Sequence, residues 1–323
     1  MPETTGHAWH DKTVLVAGGA GFIGRHLCEA SLARGAEVII VDDFSTGRVL
    51  AVDRLSGCDR VTVLKADVAK PLVDMPRCDI VFNLAAPASP PLYQRDPVQT
   101  WRTSVYGTDN LASLAHSWGA VFVQASTSEV YGDPDQHPQT EAYWGNVNPV
   151  GIRSCYDEGK RAAETLIMDM VRAHGLNGRI ARIFNTYGPG MDTADGRLLP
   201  NLITQALNAE PMTVYGDGQQ TRSLCYVDDL VSGLIAMAQT EAARGEVINL
   251  GNARERTVLE IAHLVAASLS CDPEIVHLPL PRDDPIRRCP DVSKAKRILQ
   301  WSAQTPLSDG LTHMVADFMR ATC

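Results

Sequence analysis

The sequence lacks paired cysteines, and that absence narrows the class of protein. Its eight cysteines, at positions 28, 58, 78, 155, 225, 271, 289 and 323, are scattered singly, and no C-x-x-C pair occurs. Zinc ribbons and thioredoxin-like sites need such pairs. Isolated cysteines are typical of thiols that stay reduced in the cytoplasm.

Long apolar runs are absent as well. No uncharged apolar stretch approaches the ~20 residues that a membrane-spanning helix needs. The first eleven residues are polar and do not contain the apolar core of a signal peptide. We therefore expect a cytoplasmic protein with no membrane partner.

The chain also has no excess of basic residues. It carries 29 basic and 38 acidic residues, for a formal net charge of −9. A non-specific nucleic-acid binder needs a basic surface, so we expect no nucleic-acid partner. An anionic small molecule stays possible, because a local group of arginines outweighs the net charge at short range. The nine histidines show no metal-ligand spacing, so we expect no metal.

What the sequence does contain is a glycine-rich turn between a strand and a helix. Residues 13–17 are an apolar run of the buried-strand kind, and an amphipathic helix follows the turn to about residue 34. The turn has the pattern G-x-x-G-x-x-G, whose glycines let the backbone approach a pyrophosphate that the helix N-terminus attracts. The predicted cofactor contacts here are Gly18, Gly21, Phe22, Ile23 and Gly24.

A second apolar run, residues 37–41, ends in Asp42 and Asp43. A carboxylate at this offset, about 20 residues after the glycines, binds the adenosine ribose of a dinucleotide. It would repel the extra phosphate of NADP, so the sequence predicts NAD. The ends of the next two strands supply the other expected cofactor contacts, Asp67, Val68, Leu84, Ala85 and Ala86.

Strands alternate with helices through the first half of the chain. Further strands are predicted at 61–65, 79–84, 121–125 and 178–184, with helices at 97–118 and from 154 onward. This alternation predicts an α/β fold with a Rossmann-like, doubly wound parallel sheet that binds ligands at the carboxyl ends of its strands. Because of its prolines, the segment 87–93 is predicted to be a non-helical loop.

The composition changes after residue 184, where prolines and glycines become frequent. We expect residues 12–184 to form the dinucleotide-binding domain that carries the catalytic residues. Residues 185–323 then form mainly a smaller, interleaved substrate-binding lobe, with one returning segment, about 220–255, packed on the first domain. No internal repeat or low-complexity linker separates the two.

The reactive residues are expected where the fifth strand ends. Residues 126–129 place hydroxyls and one carboxylate there, and Tyr156 and Lys160 lie four apart on one face of the following helix. An unperturbed tyrosine, with a pKa of about 10, is a poor base at neutral pH. A neighbouring ammonium favours the phenolate, so the spacing predicts Tyr156 as a base that Lys160 activates.

With these residues the sequence resembles the extended short-chain dehydrogenase/reductase family, over nearly the whole chain. The family-wide marks are the glycine turn and the Tyr156/Lys160 pair. Within the family, the likeness is to decarboxylases that convert UDP-glucuronate to UDP-xylose. The stretches that carry it are 87–91, 126–134, 143–145 with 148–149, 155–161, 181–186 and 283–285 with Arg288.

Three positions distinguish this chain from related patterns. Ser104 stands where the family usually has asparagine, and Arg25 replaces a common small residue after the glycine turn. Nucleotide-sugar dehydratases carry aspartate where this chain has Ser128. That difference removes the proton donor expected for loss of water.

The resemblance implies a bound NAD and a reaction in which Tyr156 takes the proton of the sugar C4 hydroxyl as hydride leaves C4. Carbon dioxide is then lost from the β-keto acid, C5 is protonated and the hydride returns. The implied catalytic residues are Thr127, Ser128, Glu129, Tyr156, Lys160 and Arg288, of which Tyr156 and Lys160 also contact the cofactor. The implied substrate contacts are Pro87, Ser89, Tyr93, Glu129, Asn185, Asn201, Tyr215, Arg222 and Arg288.

Specific roles follow for some of these residues. The resemblance implies that Glu129 is an acid/base group or turns the substrate carboxylate out of the ring plane. It places Arg288 near that carboxylate and Arg222 on the diphosphate, which a guanidinium fork matches.

Other hypotheses stay open. The same residues suit a C4 epimerase of UDP-glucuronate or a decarboxylase that releases the 4-keto pentose. A dinucleotide-sensing regulator is a non-catalytic alternative, although such proteins commonly lack the Tyr/Lys pair. The apolar faces of helices 97–118 and 154–174 predict a homodimer joined by a four-helix seam.

Overall fold

A seven-stranded parallel sheet forms the centre of the computed structural model, which describes residues 9–47, 49–280 and 287–322. The strands are β1 (Thr13–Ala17), β2 (Glu37–Asp42), β3 (Val61–Lys65), β4 (Ile80–Asn83), β5 (Val121–Thr127), β6 (Gly178–Ile183), β7 (Thr186–Tyr187), β8 (Met212–Tyr215), β9 (Thr221–Ser223), β10 (Cys225–Tyr226), β11 (Val247–Leu250), β12 (Glu255–Thr257), β13 (Ile275–Leu278) and β14 (Arg287–Arg288).

Helices cover the sheet and build the second lobe. They are α1 (Phe22–Ala33), α2 (Val49–Ser56), α3 (Pro90–Tyr93), α4 (Pro97–Trp118), α5 (Ser154–His174), α6 (Leu198–Leu207), α7 (Val227–Gln239), α8 (Val258–Ser268), α9 (Ser293–Leu299) and α10 (Leu307–Thr322). Two 3₁₀ turns, Ser128–Tyr131 and Glu241–Ala243, complete the described elements.

The strand order explains where a ligand binds. The central sheet runs β11-β6-β5-β4-β1-β2-β3, and every neighbouring pair is parallel. The chain leaves β1 in one direction and resumes at β4 on the other side, so a crevice opens between them at the carboxyl ends. The predicted Rossmann-like α/β fold is confirmed.

Both faces of the sheet are buried, which is why its strands are apolar throughout rather than alternating. Along β1, Val14 and Val16 pack into the core that holds α1 and α7. Leu15 and Ala17 point into the core on the other face, which α4 and α5 cover. The sheet therefore holds its carboxyl ends, and the site above them, on a rigid layer.

The second lobe is built from small sheets, β7/β10, β9/β12/β14 and β8/β13, with α6, α8 and α10. Part of the expected returning segment does lie on the first domain, because β11 joins the central sheet and α7 packs on β5 and β6. The two ends of that segment, β9 and β12, belong to the second lobe instead. Helix α9 also returns, to pack on β11 and α7.

The prediction that residues 87–93 contain no helix is wrong. Pro90 to Tyr93 form a short helix that begins after Ser89, with proline at its first positions. Proline is tolerated in a first turn, because the N–H that it lacks would have no partner there. The turn points Tyr93 inward, where it is 1% exposed.

Three observations on the described residues bear on membrane, metal and disulfide chemistry. Within the three described ranges, no helix is both long and apolar enough to cross a bilayer. In the same part of the chain, no three metal-binding side chains cluster. The seven cysteines that the structure describes are free thiols.

Candidate functional site

Two adjoining cavities lie at the carboxyl ends of the central strands. The smaller, which we call the cofactor cavity, has a volume of about 180 Å³ and lies over β1, β2 and β4. The larger, the central cavity, has a volume of about 1090 Å³ and extends from the glycine turn across β5 and α5 to the second lobe. They share wall residues Gly18, Gly21, Leu84 and Ala86, so together they form one long crevice.

All of the predicted cofactor residues line this crevice. The cofactor cavity is lined by Gly18, Gly21, Asp42, Asp43, Asp67, Val68, Leu84, Ala85 and Ala86. The central cavity is lined by Gly18, Gly21, Phe22, Ile23, Gly24, Leu84, Ala86, Tyr156 and Lys160.

The glycine turn has the shape that a dinucleotide pyrophosphate needs. Gly18 has a φ of +79°, and a Cβ on Gly24 would lie 2.1 Å from the Gly18 carbonyl oxygen, so no larger residue fits there. Gly21 is the N-cap residue of helix α1, which has no side-chain cap and no acidic residue in its first turn. The first turn of this helix lines the central cavity and has no side-chain cap on its N–H groups, as anion binding at a helix N-terminus requires. These features fit NAD.

Asp42 and Asp43 are held in place by the backbone. The Asp42 carboxylate accepts hydrogen bonds from Ala20 N at 3.0 Å and Phe44 N at 2.9 Å. Burial raises the pKa of Asp42, against the effect of these two bonds. The Asp43 carboxylate accepts from the Ser45 N–H and hydroxyl. Each aspartate keeps lone pairs toward the cofactor cavity, where a ribose hydroxyl would donate.

The central cavity gathers the predicted catalytic and substrate residues. Its lining includes Thr127, Ser128, Glu129, Tyr156, Lys160, Arg288, Ser89, Tyr93, Asn185, Asn201, Tyr215 and Arg222. Pro87 instead lines the cofactor cavity. Residues 283–285, which belong to the last stretch of resemblance, lie outside the described residues.

Tyr156 lies at the floor of the central cavity, in the first turn of α5. Its ring stacks on Tyr93 with centroids 5.1 Å apart and planes 4° apart. Burial raises the pKa of Tyr156 to about 12, and a hydrogen bond with Thr127 and the charge of Arg197 only partly oppose this. That Lys160 favours the Tyr156 phenolate stays a prediction, and burial is the effect that it has to oppose.

Lys160 lies one turn further along α5 and is 4% exposed. Its ammonium donates to the Ala125 carbonyl oxygen at 2.9 Å and lies 5.8 Å from the centroid of the Tyr156 ring. Burial lowers the pKa of Lys160 to about 8, although Glu164 counteracts this. The ammonium is thus anchored beneath the tyrosine and still reaches the cavity.

Glu129 is clamped between two arginines. Arg288 binds both of its carboxylate oxygens, one of them at 2.9 Å, and Arg153 binds one as well. Burial alone would raise the pKa of Glu129, but Arg288 and Arg153 outweigh it and the pKa is lowered. Glu129 is therefore an ionised carboxylate that orients two guanidinium groups, rather than a ready proton donor.

A concentration of positive charge surrounds this carboxylate in an otherwise acidic protein. Arg222 on β9 is the direct register partner of Arg288 on β14, and its charge also lowers the pKa of Glu129. Three arginines thus converge on one side of the central cavity. Such a group attracts an anion such as a diphosphate or a carboxylate despite the net charge of −9.

Two buried hydroxyls in the wall have no partner within the described chain. The Ser89 Oγ and the Tyr93 Oη are both fully enclosed and make no hydrogen bond there. Unpaired buried polar atoms are costly in a native protein, and a ligand commonly satisfies them. Both atoms belong to residues expected to touch the substrate.

Asn201 and Tyr215 are placed by the second lobe. The Asn201 side chain donates to the Gly196 carbonyl at 3.0 Å from the start of α6. Tyr215, at the end of β8, is 39% exposed and lines the cavity. Both residues belong to the second lobe and line the central cavity.

The two departures from the family pattern have structural consequences. Arg25 donates to the Pro189 carbonyl at 2.9 Å, so it joins α1 to the loop after β7 at the cavity wall. Ser104 is 1% exposed, and its Oγ has no partner in the described structure. A Cβ on Gly159 would lie 3.1 Å from the Ser104 Cβ, so the serine packs directly under α5.

Sequence reasoning missed two charged residues in this site. Arg153 lies one helical turn before Tyr156, and that spacing puts both on the same face. Arg197 precedes α6, is paired with Asp195 and lines the central cavity. The spacing of Arg153 from Tyr156 could have indicated its place in the site. Arg197 reaches the site only through the packing of the second lobe.

The chain is similar to known proteins along most of its length. The family model described as the NAD dependent epimerase/dehydratase family matches residues 14–251. UDP-glucuronic acid decarboxylase 1 of Arabidopsis thaliana is 50% identical over 305 residues, which are 94% of this chain and 69% of that protein. UDP-glucuronic acid decarboxylase 1 of Danio rerio is 46% identical over 309 residues, which are 96% of this chain and 73% of that protein.

Solved structures agree with the fold at lower identity. UDP-glucuronic acid 4-epimerase from Bacillus cereus, in complex with UDP-glucuronic acid and NAD, has a TM-score of 0.86 and 27% identity, covering 96% of this chain and 99% of its own. DesIV, a dTDP-glucose 4,6-dehydratase from Streptomyces venezuelae with NAD bound, has a TM-score of 0.87 and 26% identity, covering 95% and 97%. The glycine turn, the parallel sheet, the Tyr156/Lys160 pair and these similarities lead to one assignment: the chain belongs to the NAD-dependent epimerase/dehydratase family of extended short-chain dehydrogenases/reductases.

Proposed function

We propose that this protein is an NAD-dependent decarboxylase that converts UDP-glucuronate to UDP-xylose. The observation that carries the proposal is the Glu129–Arg288 pair, which lies in the same cavity as Tyr156 and Thr127. A neutral sugar needs no cationic group near C5, whereas a sugar that bears a carboxylate there does, so the pair supports a uronate substrate. The names of relatives about 50% identical over 94% of the chain support the same substrate.

In this proposal the cofactor, when bound, accepts the hydride from sugar C4 and later returns it. Gly18, Gly21 and Gly24 hold its pyrophosphate, and Asp42 and Asp43 its adenosine ribose. Tyr156 takes the proton of the C4 hydroxyl, assisted by the Thr127 hydrogen bond to the same phenol oxygen.

Loss of hydride and proton leaves a ketone at C4 beside the carboxylate on C5, which is a β-keto acid. The C5–carboxyl bond then breaks, carbon dioxide departs, and its bonding electrons form an enolate on O4. Tyr156, now protonated, and Thr127 donate hydrogen bonds to that oxygen. C5 takes up a proton before the C4 ketone is reduced again, so no net oxidation occurs.

Arg288 and Glu129 have complementary roles in this scheme. A guanidinium carries five N–H donors, so Arg288 keeps donors for the substrate carboxylate while it binds Glu129. Glu129 stays ionised and fixes the direction of the guanidinium. We assign Arg222 to the diphosphate, and Asn185, Asn201, Tyr215, Ser89 and Tyr93 to the rest of the nucleotide sugar.

C4 epimerisation of UDP-glucuronate is the second candidate, because a structure 27% identical to this chain is named as that epimerase. Release of the 4-keto pentose is the third. All three begin with the same oxidation at C4, so the products distinguish them.

The decisive experiment is NMR of the products formed from UDP-glucuronate and NAD⁺, with release of carbon dioxide measured in parallel. UDP-xylose and stoichiometric carbon dioxide are the expected result. UDP-galacturonate without carbon dioxide would establish the epimerase instead. Tyr156→Phe is the control: it should bind NAD⁺ but lose turnover by at least about 100-fold, as expected when a positioned base is removed.

Two coarser features are also proposals. The free cysteines suit a reducing compartment, and we propose the cytoplasm. We further propose a homodimer joined through α4 and α5, which pack side by side and carry exposed apolar residues on α4.

A further inference from the structure

A chain of buried polar side chains lies beneath Lys160, outside the residues assigned above. Asn83 ends β4, Gln124 lies opposite it on β5, and Thr108 faces both from α4. Their exposures are 2%, 0% and 0%. The preceding residues on the same sheet face, Val81 and Phe122, are apolar and pack in the core there. These three polar side chains therefore lie where the apolar core under the sheet gives way to the cavities.

The Ala85 N–H and the Ala125 carbonyl oxygen, at the two ends of this network, fix the direction of the hydrogen bonds between them through Asn83 and Gln124. The Ala85 N–H can only donate, so the Asn83 Oδ1, 3.2 Å away, must accept. The Asn83 Nδ2 then donates to the Gln124 Oε1 at 2.9 Å and to the Thr108 Oγ1 at 3.1 Å. The Gln124 Nε2 is left to donate, and it does so to the Ala125 carbonyl at 3.1 Å.

The Ala125 carbonyl is the oxygen that anchors Lys160, whose ammonium donates to it at 2.9 Å. One end of the network is thus Ala85, in the wall of the cofactor cavity, and the other is the lysine beneath Tyr156. Each hydrogen bond in this network orients the side chain or carbonyl that makes the following hydrogen bond. An apolar core would be about as stable without the network, because paired buried polar groups contribute little net free energy. A functional role explains the presence of this polar network better than a contribution to stability does.

From this geometry we propose that Gln124 is a positioning residue, which holds the Ala125 carbonyl and through it fixes the Lys160 ammonium under Tyr156. Thr108 and Asn83 keep the Gln124 amide in place. The inference rests on the proposed function only for its kinetic test; the effect on the lysine is independent of which sugar reacts.

Gln124→Met tests the proposal, because methionine has similar length but cannot donate to Ala125. Asn83 keeps Thr108 as a partner, so folding is expected to survive. We expect kcat to fall about three- to tenfold, the factor that corresponds to one net hydrogen bond, with KM nearly unchanged. The dissociation constant for NAD⁺, measured by calorimetry, should rise by a similar factor, since Lys160 is one of the expected cofactor contacts.

The pH profile separates positioning from structure. A loosened ammonium favours the phenolate less, so the low-pH limb of the kcat profile should move to higher pH. The variant leaves the charged and titratable neighbours of the pair unchanged: Glu129, Arg153, Asp157, Glu164, Arg197, Arg288 and the Tyr93 hydroxyl.

Gln205→Met is the matched control, because its amide bonds Thr213 in the second lobe and neither residue is among those lining the two cavities. It should lower the melting temperature without moving kcat, NAD⁺ affinity or the pH limb. If Gln124→Met behaves in the same way, the network is purely structural and the proposal fails.

Thr108→Val, which keeps the side-chain shape, carries the test if Gln124→Met does not fold. It should shift the same three quantities in the same direction but less, since Gln124 keeps its bond to Asn83. Unchanged values would overturn the proposal. A wild-type protein that releases no carbon dioxide from UDP-glucuronate would refute the proposed function, while NAD⁺ affinity would still decide the role of Gln124.

Discussion

Asp157 shows how strongly this site perturbs a single residue. It follows Tyr156 on α5, is 7% exposed, and its Oδ1 has no hydrogen-bond partner in the described structure. Burial, with the nearby charge of Glu129, raises the pKa of Asp157 to about 7, although Arg153 and Arg288 oppose the shift. A carboxyl group with this pKa changes charge within the physiological range.

The raised pKa of Asp157 makes the free energy of unfolding fall as the pH rises. Below the unfolded pKa of about 3.9 Asp157 is protonated in both states, and between that value and about 7 only the folded state keeps the proton. Rising pH therefore removes stability until about pH 7, where the loss is complete.

Asp157→Asn should accordingly raise the melting temperature by several degrees at about pH 8 and have little effect at about pH 4. Thermal unfolding of both proteins at the two pH values measures the difference. Asp53→Asn removes an exposed carboxylate on α2 and is the control for the change of residue type itself. An equal change at both pH values would mean that Asp157 is not protonated in the folded protein.

Motif resemblance named side chains that the folded chain brings together, whereas partners that packing chooses gave no signal in the sequence. Glu129 and Arg288 are 159 residues apart, and motif resemblance placed both in the site that the structure then assembled. Arg197 and Gln124 gave no such signal. Their importance comes from a neighbour, Asp195 or Ala125, that only the folded chain identifies.

At the scale of elements, long and strongly patterned segments were predictable. The limits of β1, β3, α4 and α5 follow from apolar periodicity and from glycines that end both helices, Gly119 and Gly175, in the left-handed region. The strands β9 and β14 were not predictable, because two or three residues carry no periodicity. These strands form because β9 pairs with both β12 and β14 in the folded second lobe.

The glycine turn allows a sharp test of an element. Gly24→Ala would force a Cβ to 2.1 Å from the Gly18 oxygen, so the turn and the start of α1 must move apart. We expect loss of NAD⁺ binding, together with a lowered melting temperature. Calorimetric titration with NAD⁺ and thermal unfolding measure the two effects.

Gly57→Ala is the matched control, because a Cβ there meets nothing within 4 Å and the glycine needs no positive φ. It should bind NAD⁺ like the wild type and be at least as stable, since alanine restricts the unfolded chain. NAD⁺ binding by Gly24→Ala at wild-type affinity would show that the pyrophosphate does not use this turn.

At the scale of the whole molecule, the site draws on both ends of the sequence. The cofactor residues come from the first 86 positions, the reactive pair from α5, and Arg222 and Arg288 from β9 and β14. The division into a domain at 12–184 and a lobe at 185–323 remains a proposal, because β11, α7 and α9 return to the first part.

The proposed dimer also depends on the surface of the whole molecule. Helix α4 exposes Val98, Trp101 and Tyr106, which are 58%, 37% and 50% exposed, and the two aromatic rings contact each other edge to face at 5.7 Å. Apolar residues at such spacing form one stripe along the helix. A contiguous exposed apolar stripe marks an interaction surface, and beside α5 it has the form of half a four-helix bundle.

Light scattering should therefore give the wild type twice the 35.0 kDa mass of one chain. Tyr106→Glu should shift that mass to the monomer, because a two-fold axis near the stripe would bury two unpaired carboxylates. Val73→Glu, which alters a valine that is 76% exposed outside both helices, should leave the dimer intact. A wild-type protein with the monomer mass at micromolar concentration would refute the seam, and a dimer that survives Tyr106→Glu would place it elsewhere.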